Sequence, residues 1–316
     1  MRIVSCWITA LISGLLCLGS VALAESGFLV PESQRQPVGK LVPNYVLEVP
    51  DSIDDILVAD AANARLWRFS VRDGTTVSRD DRYMSIGVNG VGKRRAWDRR
   101  TPLGVYFITE RLDTSRMHEK YGVAAYPLDY PNAWDRYQKK TGDGIWLHGV
   151  DRRNPERPPL DTDGCLALRN EELLKLSNRL LPQVTPVIVT RELQMVRPEV
   201  LDETRVAFRT ALEMWREAQQ TGDVLAYLSL YSKNFRYGEM DKNAWSDFRL
   251  GVFEAREMRD LQLDDVLLLA DPEEEDLYLS RFTQVVTTAD GEVNTTKRLY
   301  WKRNGDAWRI ISEDTG

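Results

Sequence analysis

Cysteine and histidine are scarce in this sequence: its 316 residues contain three cysteines and two histidines. A small domain stapled by disulfides needs many more cysteines, so the fold must depend on a buried hydrophobic core. The chain has no CxxC pair and no HExxH helix for a zinc site, and no Ser-x-x-Lys or Gly-x-Ser-x-Gly motif of serine acyl-enzymes. Its net charge of −6 argues against non-specific nucleic-acid binding, which requires a cationic face.

The first 24 residues have the composition of an export signal. Arg2 precedes an uncharged run that ends in Ala22-Leu23-Ala24, the small-x-small pattern of a cleavage site. An uncleaved anchor is the alternative, because 22 uncharged residues are long enough to span a bilayer. Glycine–serine pairs within the run favour cleavage. We therefore expect residues 1–24 to be a signal peptide, and an exported chain that meets the membrane only if this segment stays uncleaved.

Removal of that segment leaves Cys165 as the only cysteine of the mature chain. A lone thiol in an oxidising compartment has no intramolecular partner. It is either buried as a small hydrophobic side chain or retained because the thiol has a chemical function. The residue by itself does not decide between these two interpretations.

Length and composition predict two domains after the export segment, because the chain is longer than one hydrophobic core usually organises. Residues 25–50 are rich in proline, glutamine and glycine and predict an irregular arm. Residues 51–196 predict a mainly-β domain, in which apolar runs at Asp55–Ala59 and Leu66–Val71 suit a hairpin. Other elements predicted here are strands at Tyr83–Val88, Gly104–Thr109 and Val184–Thr190 and a helix at Glu171–Leu181.

Residues 200–316 differ in composition from the first half and predict a small α+β domain. Asp202–Gln220 carries apolar residues on one face at helical spacing, and two shorter helices are predicted at Val224–Tyr231 and Ala244–Glu254. Asp-Gly and Asn-Gly pairs between the apolar runs that follow predict an antiparallel meander. Its strands are predicted around Asp265–Leu269, Leu277–Thr288, Thr295–Arg303 and Trp308–Ser312.

The candidate catalytic residues lie in two short segments, Gly144–Gly149 and Thr162–Leu168. Cys165 lies 17 residues beyond His148. An imidazole can accept the proton of a thiol or, as imidazolium, lower the pKa of that thiol from about 8.5. Gly164 permits a tight turn whose N–H groups, from Gly164 and Cys165, can bind an oxyanion. The alternative is a core histidine and a buried thiol that never meet.

These segments resemble the L,D-transpeptidase catalytic domain (the YkuD-type family), whose signature is His-Gly, a loop, and Ser/Thr-x-Gly-Cys. Arg100–Tyr106 resembles a further segment of that family, Thr-Pro-x-Gly-x-Tyr/Phe. Tyr130–Asn132 and Gly142–Gly149 resemble a branch that includes YafK-like murein enzymes and helical-shape L,D-carboxypeptidases. The resemblance covers about residues 50–195. It implies Cys165 as nucleophile, His148 as base and Gly164 as oxyanion donor. The substrate-binding positions we infer beside them are Trp146, Gly149, Arg153, Thr162 and Asp163.

By this resemblance the protein is a periplasmic cysteine acyltransferase that acts on peptidoglycan stem tetrapeptides through a thioester, without metal or organic cofactor. An amine that resolves the thioester makes it an L,D-transpeptidase, the outcome we favour. Water makes it an L,D-carboxypeptidase that trims the tetrapeptide to a tripeptide or releases murein-bound lipoprotein. A third alternative is a non-catalytic wall-binding module in which Cys165 is inert.

Basic residues cluster in the first half of the chain. They are either solvated loop charges or a cradle for the carboxylates of an anionic stem peptide. The residues are Lys93, Arg94, Arg95, Arg99, Arg100, Arg152, Arg153 and Arg157.

The second half resembles the nuclear transport factor two-like (NTF2-like) cone, in which helices fold onto a curved antiparallel sheet. In the carboxypeptidase branch such a domain follows the catalytic one. The resemblance implies a ligand pocket or, as we favour, a structural role or a contact with a protein partner or second copy.

Overall fold

The computed structural model describes residues 41–255 and 258–316. The predicted signal peptide and residues 25–40 of the predicted arm lie outside the described residues. Within the described part of the chain, no helix is long and apolar enough to cross a membrane.

The first half consists mostly of short strands. Among the described residues of this half, the helices are α1 (Ala133–Tyr137) and α2 (Asn170–Ser177), and a 3-10 turn covers Glu119–Tyr121. The strands are β1 (Val42–Pro43), β2 (Val46–Glu48), β3 (Asp55–Asp60), β4 (Arg65–Arg72), β5 (Thr75–Gly87), β6 (Gly104–Phe107), β7 (Ala125–Pro127), β8 (Trp146–His148), β9 (Leu160–Thr162), β10 (Leu166–Leu168), β11 (Pro186–Thr190) and β12 (Met195–Val196).

Nine of these strands form one mixed sheet in the order β6-β11-β3-β4-β5-β10-β8-β7, with β9 beside β5. The hairpin predicted from the first two apolar runs is confirmed: β3 and β4 pair antiparallel from Asp55 opposite Ser70 to Asp60 opposite Arg65. Apolar side chains on one face of this sheet, including Leu57, Leu147 and Leu168, form a buried core. The mainly-β class predicted for this domain is confirmed.

The second half places helices against one mostly antiparallel sheet, in which the first and the last strand of this half along the chain pair in parallel. The helices are α3 (Asp202–Thr221), α4 (Val224–Ser229) and α5 (Lys242–Glu254), and the strands are β13 (Tyr231–Tyr237), β14 (Met240–Asp241), β15 (Asp260–Ala270), β16 (Leu277–Thr287), β17 (Glu292–Asn304) and β18 (Ala307–Asp314). The long helix α3 ends at Gly222, whose φ of 78° favours glycine. Its buried face packs Phe208 and Trp215 against Phe282 and Trp301 of the sheet. The predicted α+β class is confirmed.

The end of the predicted irregular arm differs from the expectation. Val46–Glu48 is a strand, β2, and it pairs with β15 at the edge of the second domain's sheet. Val46 packs into a core cluster shared by the two domains, and Leu47 packs into the core of the second domain. A strand of three residues is too short to show a hydrophobic period, and its pairing partner lies more than 200 residues away along the chain.

Two helix ends and one strand also differ from the predictions. The helix predicted to Leu181 ends at Ser177, and the helix predicted to Tyr231 ends at Ser229. Strand β13 begins at Tyr231, directly after α4, and precedes α5 in the sequence. The helices of this domain therefore do not all precede its strands. Polar residues within Tyr231–Tyr237 obscure the strand in the sequence, because only Tyr231 and Phe235 of this strand are buried.

The two halves share a hydrophobic core and belong to one compact unit, Lys40–Gly316. Ile56 and Phe107 of the first half pack in one cluster with Leu279 and Tyr300 of the second. Buried Arg298 of β17 forms ion pairs with Asp129 of the first half and with Asp314 of its own domain.

Candidate active site

His148 and Cys165 line the same open pocket, whose cavity volume is about 620 Å³. Strands β8 and β10 explain why two residues so far apart in the sequence meet here. These strands run parallel, with Leu147 opposite Leu166 and His148 opposite Ala167. Cys165 immediately precedes β10 and is therefore level with Trp146, next to the strand that carries the histidine. The pocket is also lined by Lys93, Ala96, Trp97, Arg99, Lys120, Tyr121, Gly142, Asp143, Gly144, Arg157, Asp161, Thr162 and Asp163.

The His148 imidazole is buried and fixed in one orientation. Its Nδ1 atom lies 2.6 Å from the carbonyl oxygen of Gly149. A carbonyl can only accept a hydrogen bond, so Nδ1 carries the proton and Nε2 has the free lone pair. Burial lowers the pKa of His148 to about 4. The side chain is therefore a neutral base at physiological pH.

An aromatic stack supports this imidazole. The ring of Tyr121 meets His148 edge-on at 5.3 Å between centroids and packs against the Trp146 ring at 4.7 Å. These contacts fix the ring plane of His148, while its hydrogen bond to Gly149 fixes the tautomer.

The Cys165 thiol donates a hydrogen bond to the carbonyl oxygen of Gly144, with Sγ 3.4 Å from the oxygen. Burial raises the pKa of this thiol above its usual value, although the Trp146 N–H and the Lys120 charge act in the opposite direction. Because the pKa of His148 is lowered at the same time, the resting pair is a neutral thiol and a neutral imidazole. The site is thus suited to transfer of the proton during attack by sulfur.

Two threonines brace the turn that carries the nucleophile. Thr162 Oγ1 donates to the Cys165 carbonyl oxygen at 2.7 Å and accepts from the Gly164 N–H at 3.1 Å. Thr101 Oγ1 donates to the Gly164 carbonyl oxygen at 2.9 Å and accepts from the Gly87 N–H at 2.9 Å. Gly164 has a φ of +127°, and a Cβ there would lie 2.7 Å from the Arg100 carbonyl oxygen. Only glycine fits this position.

The role expected of Gly164 differs in this structure. Its N–H donates a hydrogen bond to Thr162 Oγ1. This N–H is therefore not available to an oxyanion. The N–H of Cys165 is then the amide of this turn that can bind the developing oxyanion.

The structure places the other predicted residues in several different positions. Gly149 holds His148 through its carbonyl, and a Cβ on Gly149 would meet Asn170 Oδ1 at 2.2 Å. Asp163 lies at the exposed mouth of the pocket and pairs with Arg99 at 2.9 Å. The backbone N–H of Trp146 favours the thiolate form of Cys165, and the Trp146 ring packs on Tyr121.

Arg153 lies outside this pocket, contrary to the expectation. Its guanidinium pairs with Glu119 and Asp151 in a neighbouring groove. The loop that contains it begins close to His148 in the sequence, but these two carboxylates hold the side chain away from His148 and Cys165.

Half of the predicted basic cluster, four of its eight residues, forms ion pairs with carboxylates of the protein. Three of its cations line the pocket, and each has a carboxylate partner: Lys93 pairs with Asp98, Arg99 with Asp163 and Arg157 with Asp161. Lys120, which the sequence did not single out, also lines the pocket. Its ammonium group lies 5.0 Å from the Tyr121 ring centroid and has no carboxylate partner among residues 41–255 and 258–316.

Residues 54–189 match the model of the YkuD family, the L,D-transpeptidase catalytic domain. The chain contains an L,D-transpeptidase catalytic domain. Residues 207–314 match the model of the Cds6 C-terminal NTF2-like domain, so both predicted resemblances are confirmed. All the pocket residues named above lie within the matched L,D-transpeptidase region.

Solved structures share this two-domain fold. Bd1075 of Bdellovibrio bacteriovorus is 23% identical with a TM-score of 0.71, and the match covers 87% of this chain and 98% of that one. The helical cell shape determining protein Pgp2 of Campylobacter jejuni is 24% identical with a TM-score of 0.70, covering 86% of this chain and 95% of that one. At these identities the similarity shows the fold. No curated protein matches the sequence.

Proposed function

We propose that this protein is a periplasmic cysteine L,D-transpeptidase acting on peptidoglycan stem tetrapeptides. The observation that carries the proposal is that the Cys165 thiol and a neutral, oriented His148 line one open pocket in a region that matches the L,D-transpeptidase catalytic domain. A merely buried cysteine would not need a histidine fixed by Gly149 and a turn braced by two threonines.

The first half-reaction forms a thioester. Cys165 Sγ attacks the carbonyl carbon between the L-centre of the third residue and the terminal D-residue, while His148 Nε2 takes the thiol proton. The N–H of Cys165 stabilises the oxyanion. When the tetrahedral intermediate collapses, the C–N bond breaks and His148 gives its proton to the leaving amine.

The second half-reaction resolves the thioester. An acceptor amine attacks the carbonyl carbon, His148 takes a proton from that amine, and the C–S bond breaks with the proton returned to sulfur. The products are a new amide, which forms a cross-link or a protein attachment, and the free enzyme. The same geometry serves a water molecule equally well.

Lys120 fits the recognition of the terminal carboxylate. It lines the pocket, its charge lowers the pKa of both His148 and Cys165, and the other pocket cations are already paired. In the tetrapeptide the terminal D-residue directly follows the scissile bond. Its free α-carboxylate therefore enters the pocket close to Cys165. The Lys120 ammonium is the group that can neutralise it without breaking an internal ion pair.

Incubation of the mature protein with a purified disaccharide tetrapeptide, followed by mass spectrometry, tests the proposal. We expect loss of the terminal D-residue and a covalent acyl adduct on Cys165, both absent in Cys165→Ala and strongly reduced in His148→Gln. Dimers or exchange of the terminal residue support the transpeptidase. An unchanged tetrapeptide with the folded protein contradicts an enzymatic function and leaves the wall-binding module.

L,D-carboxypeptidase activity is the second candidate. The two-domain architecture favours it, because the resemblance places an NTF2-like domain after the catalytic domain in the carboxypeptidase branch. A tripeptide product without dimers or exchange, at high acceptor concentration, identifies this activity. Release of peptidoglycan-linked lipoprotein is tested in the same way with that substrate.

A further inference from the structure

Trp97 is displayed at the mouth of the catalytic pocket. Its side chain is 94% exposed, which is the largest exposure among the large apolar residues of the described chain. Its backbone has a φ of +64°, in the left-handed region that favours glycine. The indole therefore adds nothing to the hydrophobic core, and the backbone that carries it is strained.

The loop that presents Trp97 is organised around the Asp98 carboxylate. This carboxylate accepts hydrogen bonds from the N–H groups of Arg94 at 2.8 Å, Arg95 at 3.0 Å and Arg100 at 3.1 Å. It also accepts one from Nζ of buried Lys93 at 2.9 Å. Four donors on one carboxylate fix the backbone on both sides of the indole.

The same loop is hydrogen-bonded to the segment whose carbonyl accepts a hydrogen bond from the Cys165 thiol. The Ala96 N–H donates to Thr141 Oγ1 at 3.1 Å, and the Thr141 N–H donates to the Arg94 carbonyl oxygen at 3.0 Å. Thr141 leads directly into Gly142–Gly144, whose last carbonyl accepts from Cys165. These hydrogen bonds fix the backbone of the Trp97 loop relative to the Gly144 carbonyl that accepts from Cys165. The fold therefore keeps an exposed indole, on a strained backbone, in this part of the pocket.

We propose that Trp97 is a stacking platform for a pyranose ring of the glycan strand that carries the stem peptide; this inference rests on the proposed function. The three residues between the scissile bond and the sugar span about 10 Å when extended. A stem peptide of that length can connect a scissile bond at Cys165 with a sugar at another residue that lines the same pocket, and Trp97 is such a residue. Trp97 is the aromatic side chain that stands exposed there.

The chemistry of the mouth also favours a sugar. A pyranose has flat C–H faces and a rim of hydroxyl groups, which match the apolar faces and the N–H edge of an indole. The two pocket-lining cations nearest Trp97 in the sequence are paired, Arg99 with Asp163 and Lys93 with Asp98. These two cations are therefore already neutralised, and the exposed indole is the group beside them that can contact a neutral ring.

A matched pair of substrates tests the assignment: a disaccharide tetrapeptide and the same tetrapeptide without sugar. We expect Trp97→Ala to raise KM for the disaccharide substrate about tenfold and to leave both constants for the free tetrapeptide unchanged. Trp97→Phe should retain most of the wild-type KM. Phe248→Ala, which removes a half-exposed ring from α5 in the other domain, is the matched control and should change neither substrate.

Trp97→Gly separates a binding role from a structural one. Glycine removes the indole and relieves the left-handed backbone, so the midpoint of thermal unfolding should rise by ~2 °C. The KM for the disaccharide substrate should rise as in Trp97→Ala. A lower midpoint in both variants would indicate that the indole supports the fold and would overturn the proposal.

Other results overturn the assignment directly. An equal loss of kcat/KM for both substrates means that the indole contacts the peptide, and no loss for either means that it has no binding role. Titration calorimetry of the disaccharide tetrapeptide with Cys165→Ala, with and without Trp97→Ala, measures binding alone. Loss of binding there, combined with an inactive wild-type protein, would refute the proposed function and leave the glycan site standing.

Discussion

Burial sets the protonation state of the two residues that we propose to react. It lowers the pKa of His148 to about 4 and raises that of Cys165, because each side chain loses water around its charged form. A thiolate–imidazolium pair would require the opposite shifts. The resting enzyme is then poised for general-base catalysis, in which charge develops only as sulfur meets the carbonyl.

The acid limb of the pH profile follows from this state. Since the pKa of His148 is lowered, its neutral form persists below the usual imidazole pKa of about 6.5 and is lost only as the pH falls through about 4. We expect kcat/KM for release of the terminal residue to stay level between about pH 7 and pH 5. Circular dichroism at each pH checks that the fold persists. A decline centred near pH 6.5 contradicts the prediction.

The role proposed for Lys120 predicts a selective defect. Lys120→Met removes the charge and retains an apolar chain, so kcat/KM for a tetrapeptide with a free carboxylate should fall about tenfold or more, as expected for loss of a charge-assisted hydrogen bond. The same peptide with a terminal amide should bind wild type and variant equally. Lys120→Arg should recover part of the loss. Equal defects on acid and amide substrates would contradict carboxylate recognition.

At the scale of elements, Thr101 joins three separate segments through one hydroxyl. It donates to the Gly164 carbonyl of the nucleophile turn and accepts from the Gly87 N–H at the end of β5, and its side chain is fully buried. Removing the hydroxyl leaves one buried donor and one buried acceptor without partners. Such groups cost about 1–3 kcal/mol each.

Thr101→Val should therefore lower the free energy of unfolding by about 2–4 kcal/mol, measured by urea denaturation. It should also lower kcat/KM although Thr101 is not proposed to touch the substrate, because the turn carrying Cys165 loses a brace. Thr210→Val, on the exposed face of α3, is the matched control and should change stability by less than about 0.5 kcal/mol. An active, fully stable Thr101→Val would contradict the role of this hydroxyl.

The elements that the sequence predicted well are those whose own residues carry a local pattern. The continuous apolar run within Asp55–Asp60 and the helical face of Asp202–Thr221 need no distant partner to be recognised. Strands of three residues, such as β2 and β8, exist because of pairing with remote segments. A local window cannot contain that information.

The same limit applies to the site. Cys165 and His148 could be proposed from residue type, spacing and family resemblance, and the structure brings them into one pocket. Thr101 and Lys120 could not, since their roles depend on contacts with segments far along the chain. Arg153 was inferred from its proximity in sequence, but Glu119 and Asp151 hold it in another groove.

At the scale of the whole molecule, the two domains are joined by a shared core and by a buried ion cluster. Apolar residues of both domains pack in one hydrophobic cluster. Strand β2 precedes the first domain in the sequence but pairs with β15 in the sheet of the second domain. Arg298 lies 2.5 Å from Asp314 through Nε and also pairs with Asp129 of the first domain. The NTF2-like domain is therefore structurally continuous with the catalytic one.

Arg298→Met tests this coupling. The substitution leaves Asp129 and Asp314 buried without their cation, and breaking a buried ion pair costs about 3–5 kcal/mol. Lys302→Met, which removes a partly exposed lysine 3.8 Å from Glu274, is the matched control and should cost less than about 1 kcal/mol.

Because the apolar cluster belongs to both domains, we expect the wild-type protein to unfold in a single urea transition, with tryptophan fluorescence and far-ultraviolet circular dichroism coinciding. In Arg298→Met that transition should move to lower urea, and activity should fall as the catalytic domain loses its support. Two separate transitions in the wild-type protein would contradict the coupling. They would make the NTF2-like domain an independent module beside the L,D-transpeptidase domain.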